Sequence, residues 1–237
     1  MTPAQLAVLI AVNAVLMGTA AGLVVRRRWR LSGVFAVYVP VVCACELAVA
    51  VSPSRFFVPE FWLAKQAIYD VLKLGIALEL AWRTFGVFPG ARATSRRFAL
   101  VIVSLTTFAL IAVPANGANG DLFLLASGQL HPRVLNGTIW LMSTTLILAQ
   151  WYRVPLHPFH AAILASFAPY LALFGALLQI EGLHGWTAQR YLNALDPPAY
   201  LVLVCWWLYI AWRPEAATAA AYDKTIHRLK LRTVPCG

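Results

Sequence analysis

Between positions 60 and 73 the sequence sets Glu60, Lys65, Gln66, Tyr69, Asp70 and Lys73 into a run otherwise made of Phe, Trp, Leu, Ala, Ile and Val. On a helix turning by ~100° per residue, Tyr69, Trp62, Lys73, Gln66 and Asp70 follow Lys65 in that order around less than half of the circumference. These side chains share one side of the helix. In a membrane that side must face other helices or water, because a charge turned to lipid costs at least ~2.5–3.5 kcal/mol. Glu46, in the preceding apolar block, stands at about the height of Lys65, roughly 7.5 Å to the outer side of Asp70 at ~1.5 Å per residue. Two ion pairs are predicted, Glu46 with Lys65 across helices and Asp70 with Lys73 at i, i+3. Their charges sum to zero, as buried charges tend to. Intramembrane carboxylates and lysines mark ligand, ion or proton sites. Glu46, Lys65, Gln66, Tyr69, Asp70 and Lys73 are therefore the candidate ligand or ion/proton cluster, with Asp70 at its centre, near the bilayer midplane.

Other reactive side chains form weaker patterns. His157 and His160 lie at i, i+3 beside Arg153, Pro155 and Pro158, which reads as an elbow at the cytoplasmic surface and a candidate partner interface. Two histidines alone cannot complete a metal site, and no metal or other cofactor is expected. His131 and His184 are assigned to the outer side. Glu79 and Arg83, at i, i+4, read as an interfacial pair. Cys43, Cys45, Cys205 and Cys236 form no CxxC and read as small packing residues. Gly18 and Gly22 form a GxxxG, a close-packing face within one chain or between two. No HExxH, GxSxG or P-loop is present, and no nucleophile–base constellation suggests an enzyme.

The elements that would position these groups are set by composition. Of 237 residues 61% are hydrophobic and 12% charged, against roughly 25% charged in soluble domains; the mean hydropathy is +0.72. The apolar residues fall in blocks of the length, about 20 residues, that crosses a ~30 Å hydrocarbon core: 4–25, 31–52, 57–82, 98–114, 133–152, 159–180 and 198–212. The expected fold is all-α, a polytopic integral membrane protein with a bundle of about seven transmembrane helices over 1–213 and a basic tail over 214–237. The first block lacks the basic flank of a cleavable signal and is read as a retained helix. Pro132 suits the first turn of the fifth helix, which leaves Leu122 to Leu130 as a short interfacial segment. The stretch from Glu181 to Pro197 is a candidate ordered lid.

Lys and Arg set the orientation. With the N-terminus outside and the C-terminus cytoplasmic, the inner stretches hold Arg26, Arg27, Arg28 and Arg30; Arg83, Arg92, Arg96 and Arg97; Arg153; and Arg213, Lys224, Arg228, Lys230 and Arg232. Only Arg55, Arg133 and Arg190 fall outside. The formal net charge of +10 thus reads as topology and attraction to anionic lipids rather than nucleic-acid binding. The expected location is a plasma or bacterial inner membrane. The tail, with Tyr222, Ile226 and Leu229 on one side, reads as a basic surface helix.

A weak internal correspondence runs through the chain. Pro40 and Pro169 sit midway along the second and sixth blocks, and Ala81-Trp82-Arg83 and Ala211-Trp212-Arg213 end the third and seventh. The Pro-to-Trp separations are 42 and 43 residues. This fits a 3+1+3 repeat, two parallel three-helix units joined by a fourth helix, as in some small transporters. Two functions follow from these features. One is a non-enzymatic receptor-like sensor or accessory subunit of a membrane complex, signalling to a protein partner, or within an oligomer, through the inner loops and tail. The other is a small-solute or ion/proton transporter or channel built from two three-helix units.

Overall fold

The computed structural model describes residues 3–56, 58–85, 126–151, 156–185 and 189–214, and every regular element among them is helical. Helix α1 spans Pro3–Val25 and is followed by a 3₁₀ turn, Arg28–Arg30. Then come α2, Gly33–Val51, the single turn α3, Pro53–Phe56, and α4, Pro59–Phe85. A π-helical turn, Ala126–Leu130, runs directly into α5, His131–Trp151. Helices α6, Pro158–His184, and α7, Gln189–Trp212, complete the described chain. Four stretches, Leu6–Val25, Gly33–Val51, Pro158–His184 and Ala194–Trp212, are long and apolar enough to cross a membrane. Six of the seven blocks expected from the sequence fall on the long helices. The block at 98–114, the turn-rich stretch 114–121, Arg153 and the tail beyond Pro214 lie outside the described residues.

Two expectations are corrected. Most of the segment from Glu181 to Pro197 is helical: α6 continues to His184 and α7 begins at Gln189, absorbing Asp196, Pro197 and Pro198. There is also no break before Pro132. A proline inside a helix removes one N–H and crowds the carbonyl four residues back. A π turn over Ala126–Leu130 runs directly into α5, and Pro132 takes the first turn of α5, where its missing N–H costs least.

Local chemistry fixes the helix ends. Arg27, at φ 54°, is in the left-handed region and breaks the chain out of α1. Ser32 caps α2, its hydroxyl accepting from the Phe35 N–H. Glu79 reinforces that cap from another helix: its carboxylate accepts from the Ser32 hydroxyl at 2.7 Å and from the N–H groups of Gly33 and Val34 at 2.9 Å each. A negative charge at a helix N-terminus is favourable. Glu79 also pairs with Arg83 at 2.8 Å, so the expected interfacial pair is one part of a larger helix-capping device.

The long helices meet in chain order as a closed ring: α1 on α2, α2 on α4, α4 on α5, α5 on α6, α6 on α7, and α7 back on α1. Trp207 fills its interior, edge-on to Phe35 at 5.1 Å and to Phe167 at 5.2 Å, with Tyr38 at 6.0 Å. Glu79 at the start of α2, His160 against the Leu31 carbonyl, and Arg28 against the last carbonyls of α7 bring the Arg-rich helix ends to one end of the bundle.

The α1–α7 seam is where backbones come closest. A Cβ on Gly22 would lie 2.8 Å from Trp212 Nε1 and 3.0 Å from Ala211 Cβ, and one on Gly18 3.0 Å from Leu208 Cδ1. The Trp212 indole N–H donates to the Gly18 carbonyl at 3.0 Å. The GxxxG face is therefore used within the chain.

Burial follows a matching register in the two halves of the ring. Val12, Leu16, Thr19 and Leu23 are buried on α1, and Thr138, Met142, Thr145 and Ala149 on α5. Thr19 and Thr145 each donate to the carbonyl four residues back, at 2.8 and 2.7 Å. Phe35, Tyr38, Val39 and Val42 on α2 match Leu164, Phe167, Ala168 and Leu171 on α6. Lys73, Ala77, Leu80 and Ala81 on α4 match Leu203, Trp207, Ile210 and Ala211 on α7. For the last two helix pairs the offsets equal those between Pro40 and Pro169 and between Trp82 and Trp212.

Candidate functional site

Helix α4 lies between α2 and α5 in the ring, and its polar side divides between them. Towards α2, Lys65 Nζ lies 3.4 Å from Glu46 Oε1, and the Tyr69 hydroxyl donates to the same oxygen at 3.3 Å. Towards α5, Lys73 Nζ lies 3.5 Å from Asp70 Oδ1 and faces the Phe174 ring of α6 at 5.9 Å. Both ion pairs expected from the helical angles therefore form. Asp70, Lys73 and Tyr69 are each less than a tenth exposed, while Glu46 and Lys65 are partly accessible.

His131 is not on the outer side, where the sequence reading puts it. It is buried, with Nδ1 at 2.8 Å from Asp70 Oδ2, and its ring meets Phe174 edge-on at 6.1 Å. Treating Pro132 as a helix start leaves His131 outside the bundle. The π turn instead carries the helix further back and delivers His131 to the depth of Asp70. The signal in the sequence is the end of the apolar run, Ala126 to Leu130, which the structure winds into the turn directly before α5.

Gln66 closes a three-way contact: its Nε2 lies 3.1 Å from Asp70 Oδ1 and 2.9 Å from His131 Nδ1. A ring nitrogen is either donor or acceptor. With a proton on Nδ1, His131 donates to Asp70 Oδ2 while Gln66 donates to Asp70 Oδ1. With Nδ1 bare, it accepts from Gln66, and its contact with Asp70 loses the donor. The position of one proton thus decides which neighbour His131 holds.

A further carboxylate enters from α7. Asp196, placed outside by the sequence reading, accepts from the Tyr170 hydroxyl at 3.0 Å and acts electrostatically on Lys73. Tyr170 packs on Tyr200 at 5.5 Å and stacks on Phe174 at 6.3 Å. The two prolines that follow, Pro197 and Pro198, give this stretch the look of a loop; they are accommodated inside α7. Counting Asp196, the interior of the described bundle holds three carboxylates, Glu46, Asp70 and Asp196, against two ammoniums, Lys65 and Lys73.

His157 and His160 each make a hydrogen bond to backbone. His160 is buried and its Nε2 donates to the Leu31 carbonyl at 2.8 Å. His157 caps α6, its Nδ1 accepting from the Phe159 N–H at 3.2 Å. Arg28, in the sequence one topology-setting charge among several, is also buried. Its guanidinium donates to the Ile210 and Arg213 carbonyls and faces the Phe159 ring at 5.5 Å. A cation on the last carbonyls of a helix satisfies groups that have no partner within it. Among the described residues, no group of three or more His, Cys, Asp or Glu side chains is placed to hold a metal ion.

Comparison of the chain with models of protein families, with curated proteins and with solved structures found no match.

Proposed function

We propose that the protein is a non-enzymatic multi-pass membrane protein, a receptor-like sensor or accessory subunit of a membrane complex, whose responsive element is Asp70–His131–Gln66. In this reading about seven helices cross a plasma or bacterial inner membrane, with the N-terminus outside and the Arg-rich end and tail at the cytoplasmic side. The single observation that carries the reading is the position of His131 Nδ1, within 2.9 Å of both Asp70 and Gln66 and able either to donate to the first or to accept from the second. Sensors need an element with two arrangements that an input can bias. Here the input is a proton, or a ligand that moves one, and the seam that responds joins the two halves of the ring. The groups facing it are Lys73 on the same helix and the Phe174 ring from α6.

Difference infrared spectroscopy of the protein in liposomes, stepped over a range of pH, tests this. Carboxyl and imidazole bands should change together, and both changes should vanish in a folded Asp70→Asn variant. A wild-type protein silent across that range would overturn the proposal. The orientation is checked by single cysteines at positions 30 and 185 in a background free of native cysteines. An impermeant reagent applied to intact cells should label position 185 and spare position 30.

A second reading is supported by the matching burial registers. Two three-helix units, α1-α2-α4 and α5-α6-α7, meeting at α4–α5 and α7–α1, form the framework of a small-solute or ion/proton transporter or channel. Ion or proton flux into protein-loaded liposomes, abolished by Asp70→Asn, would favour it over sensing.

A further inference from the structure

Helix α7 carries two prolines in succession, Pro197 and Pro198. A proline has no N–H to give to the carbonyl four residues back, so the carbonyls of Asn193 and Ala194 lose their partners within the helix. Taking Asp196 as the origin at ~100° per residue, Tyr200 falls at roughly 40°, Asn193 at roughly 60° and Ala194 at roughly 160°. Tyr200 has a buried hydroxyl, and Tyr170 of α6 donates to Asp196 at 3.0 Å, so this side of α7 faces the ring interior. The freed Asn193 carbonyl shares that side with the Asp196 carboxylate, while the carbonyl of Ala194 turns away from it. We propose that Asp196, the Asn193 carbonyl and the Tyr170 hydroxyl together form a site for a small monovalent cation.

Direction is the first argument. Helix carbonyls point towards the C-terminus, whereas Cα–Cβ bonds tilt towards the N-terminus. The Asp196 side chain therefore leans back over the turn from which the Asn193 carbonyl points forward, and two electron-rich oxygens approach each other. A cation turns that repulsion into ligation, as it does where transporters hold sodium on the freed carbonyls of broken helices. Donor chemistry is the second argument. Tyr170 spends its proton on Asp196 and keeps lone pairs for an ion. All three ligands are oxygens, which hard cations prefer, and one carboxylate balances one positive charge. Access is the third argument. Asp196 is half-buried and stands two residues inside the apolar span that begins at Ala194. An ion reaches it from the end of the bundle away from the arginines. Lys73 lies within electrostatic reach of Asp196 but forms its ion pair with Asp70, at 3.5 Å. The site is separate from Asp70–His131–Gln66, and its test does not depend on whether that element responds.

Thermal melting of the full chain in detergent, with sodium chloride replacing choline chloride at constant ionic strength, tests the proposal. The wild type should melt at a higher temperature as sodium increases, because an ion that binds only the folded state stabilises it. Asp196→Asn should abolish that rise. Glu60→Gln, at the exposed start of α4, should keep it. Pro197→Ala returns an N–H to the Asn193 carbonyl and should weaken sodium binding about tenfold, or ~1.4 kcal/mol, in a chain that still folds. If Asp196→Asn does not fold, direct binding of radioactive sodium to the wild type and to Pro197→Ala decides. A melting temperature indifferent to sodium, a rise that survives Asp196→Asn or is lost in Glu60→Gln, or undiminished binding in Pro197→Ala would each overturn it.

Discussion

The ring closes through two seams that occupy corresponding places, α1 against α7 and α4 against α5, and they are built on opposite principles. The first is a fit of shapes: glycines let the backbones approach until the Trp212 indole reaches the Gly18 carbonyl. The second is a fit of charges: Asp70, Gln66 and His131 meet where no hydrocarbon packing could substitute for them. Lipid tails are as apolar as leucine, so helices in a bilayer associate through close packing and hydrogen bonds rather than through the hydrophobic effect. The glycines mark the first seam and the buried polar side chains the second. Shape tolerates no added atom but is indifferent to protons. Charge tolerates small displacements but changes with a single proton.

The largest effect is expected on the polar side. Lys73→Met strands the buried Asp70 carboxylate and should cost about 3–5 kcal/mol, read as a fall in unfolding free energy in mixed detergent. Adding Asp70→Asn should restore much of that loss. Strict additivity in this double-mutant cycle would show that the two side chains are not coupled and would remove the charge-built seam from the comparison.

On the shape-built side, Gly22→Val should cost about 1–3 kcal/mol through overpacking. Gly182→Ala, where nothing lies within 4 Å of the added carbon, should be neutral or stabilising by up to about 1 kcal/mol. Thermal melting of both variants separates a seam that needs glycine from a helix that merely contains it. Neither change should alter a pH-dependent infrared signal of the Asp70 element, whereas His131→Gln should remove it.

The smallest effect expected is at the cap shared by α2 and α4. Glu79→Gln keeps one accepting oxygen but loses the charge that three donors of α2 share, and should cost about 0.5–2 kcal/mol. A loss as large as that of Lys73→Met would mean that the bundle depends on its ends as much as on its interior.

The sequence is most informative where one helix carries the whole pattern. Lys65, Gln66, Tyr69, Asp70 and Lys73 fall on one side of α4 by angle alone, and Glu46 can be matched to Lys65 by height. It is least informative wherever proline resembles a boundary. Pro197 and Pro198 lie inside α7, because a membrane helix can absorb the lost hydrogen bond by local widening or through neighbouring helices. Reading them as an end places Asp196 outside, and starting the fifth helix after Pro132 leaves out His131 and the π turn before it. Arg28 is obscured differently: in a run of four arginines within five residues, nothing local distinguishes the one that turns inward. Its partners lie more than 180 residues away, a separation that no periodicity reports.

That separation has a consequence for how the molecule is made. Helix α1 leaves the ribosome long before α7, yet its glycine face and its buried cation are completed only by the last described helix. Until then the growing chain exposes an unfilled groove at Gly18 and Gly22 and an arginine with no carbonyls to receive it. Docking of α7 is therefore the step that closes the ring of described helices, and a chain halted before Ala211 and Trp212 presents an open seam at Gly18 and Gly22.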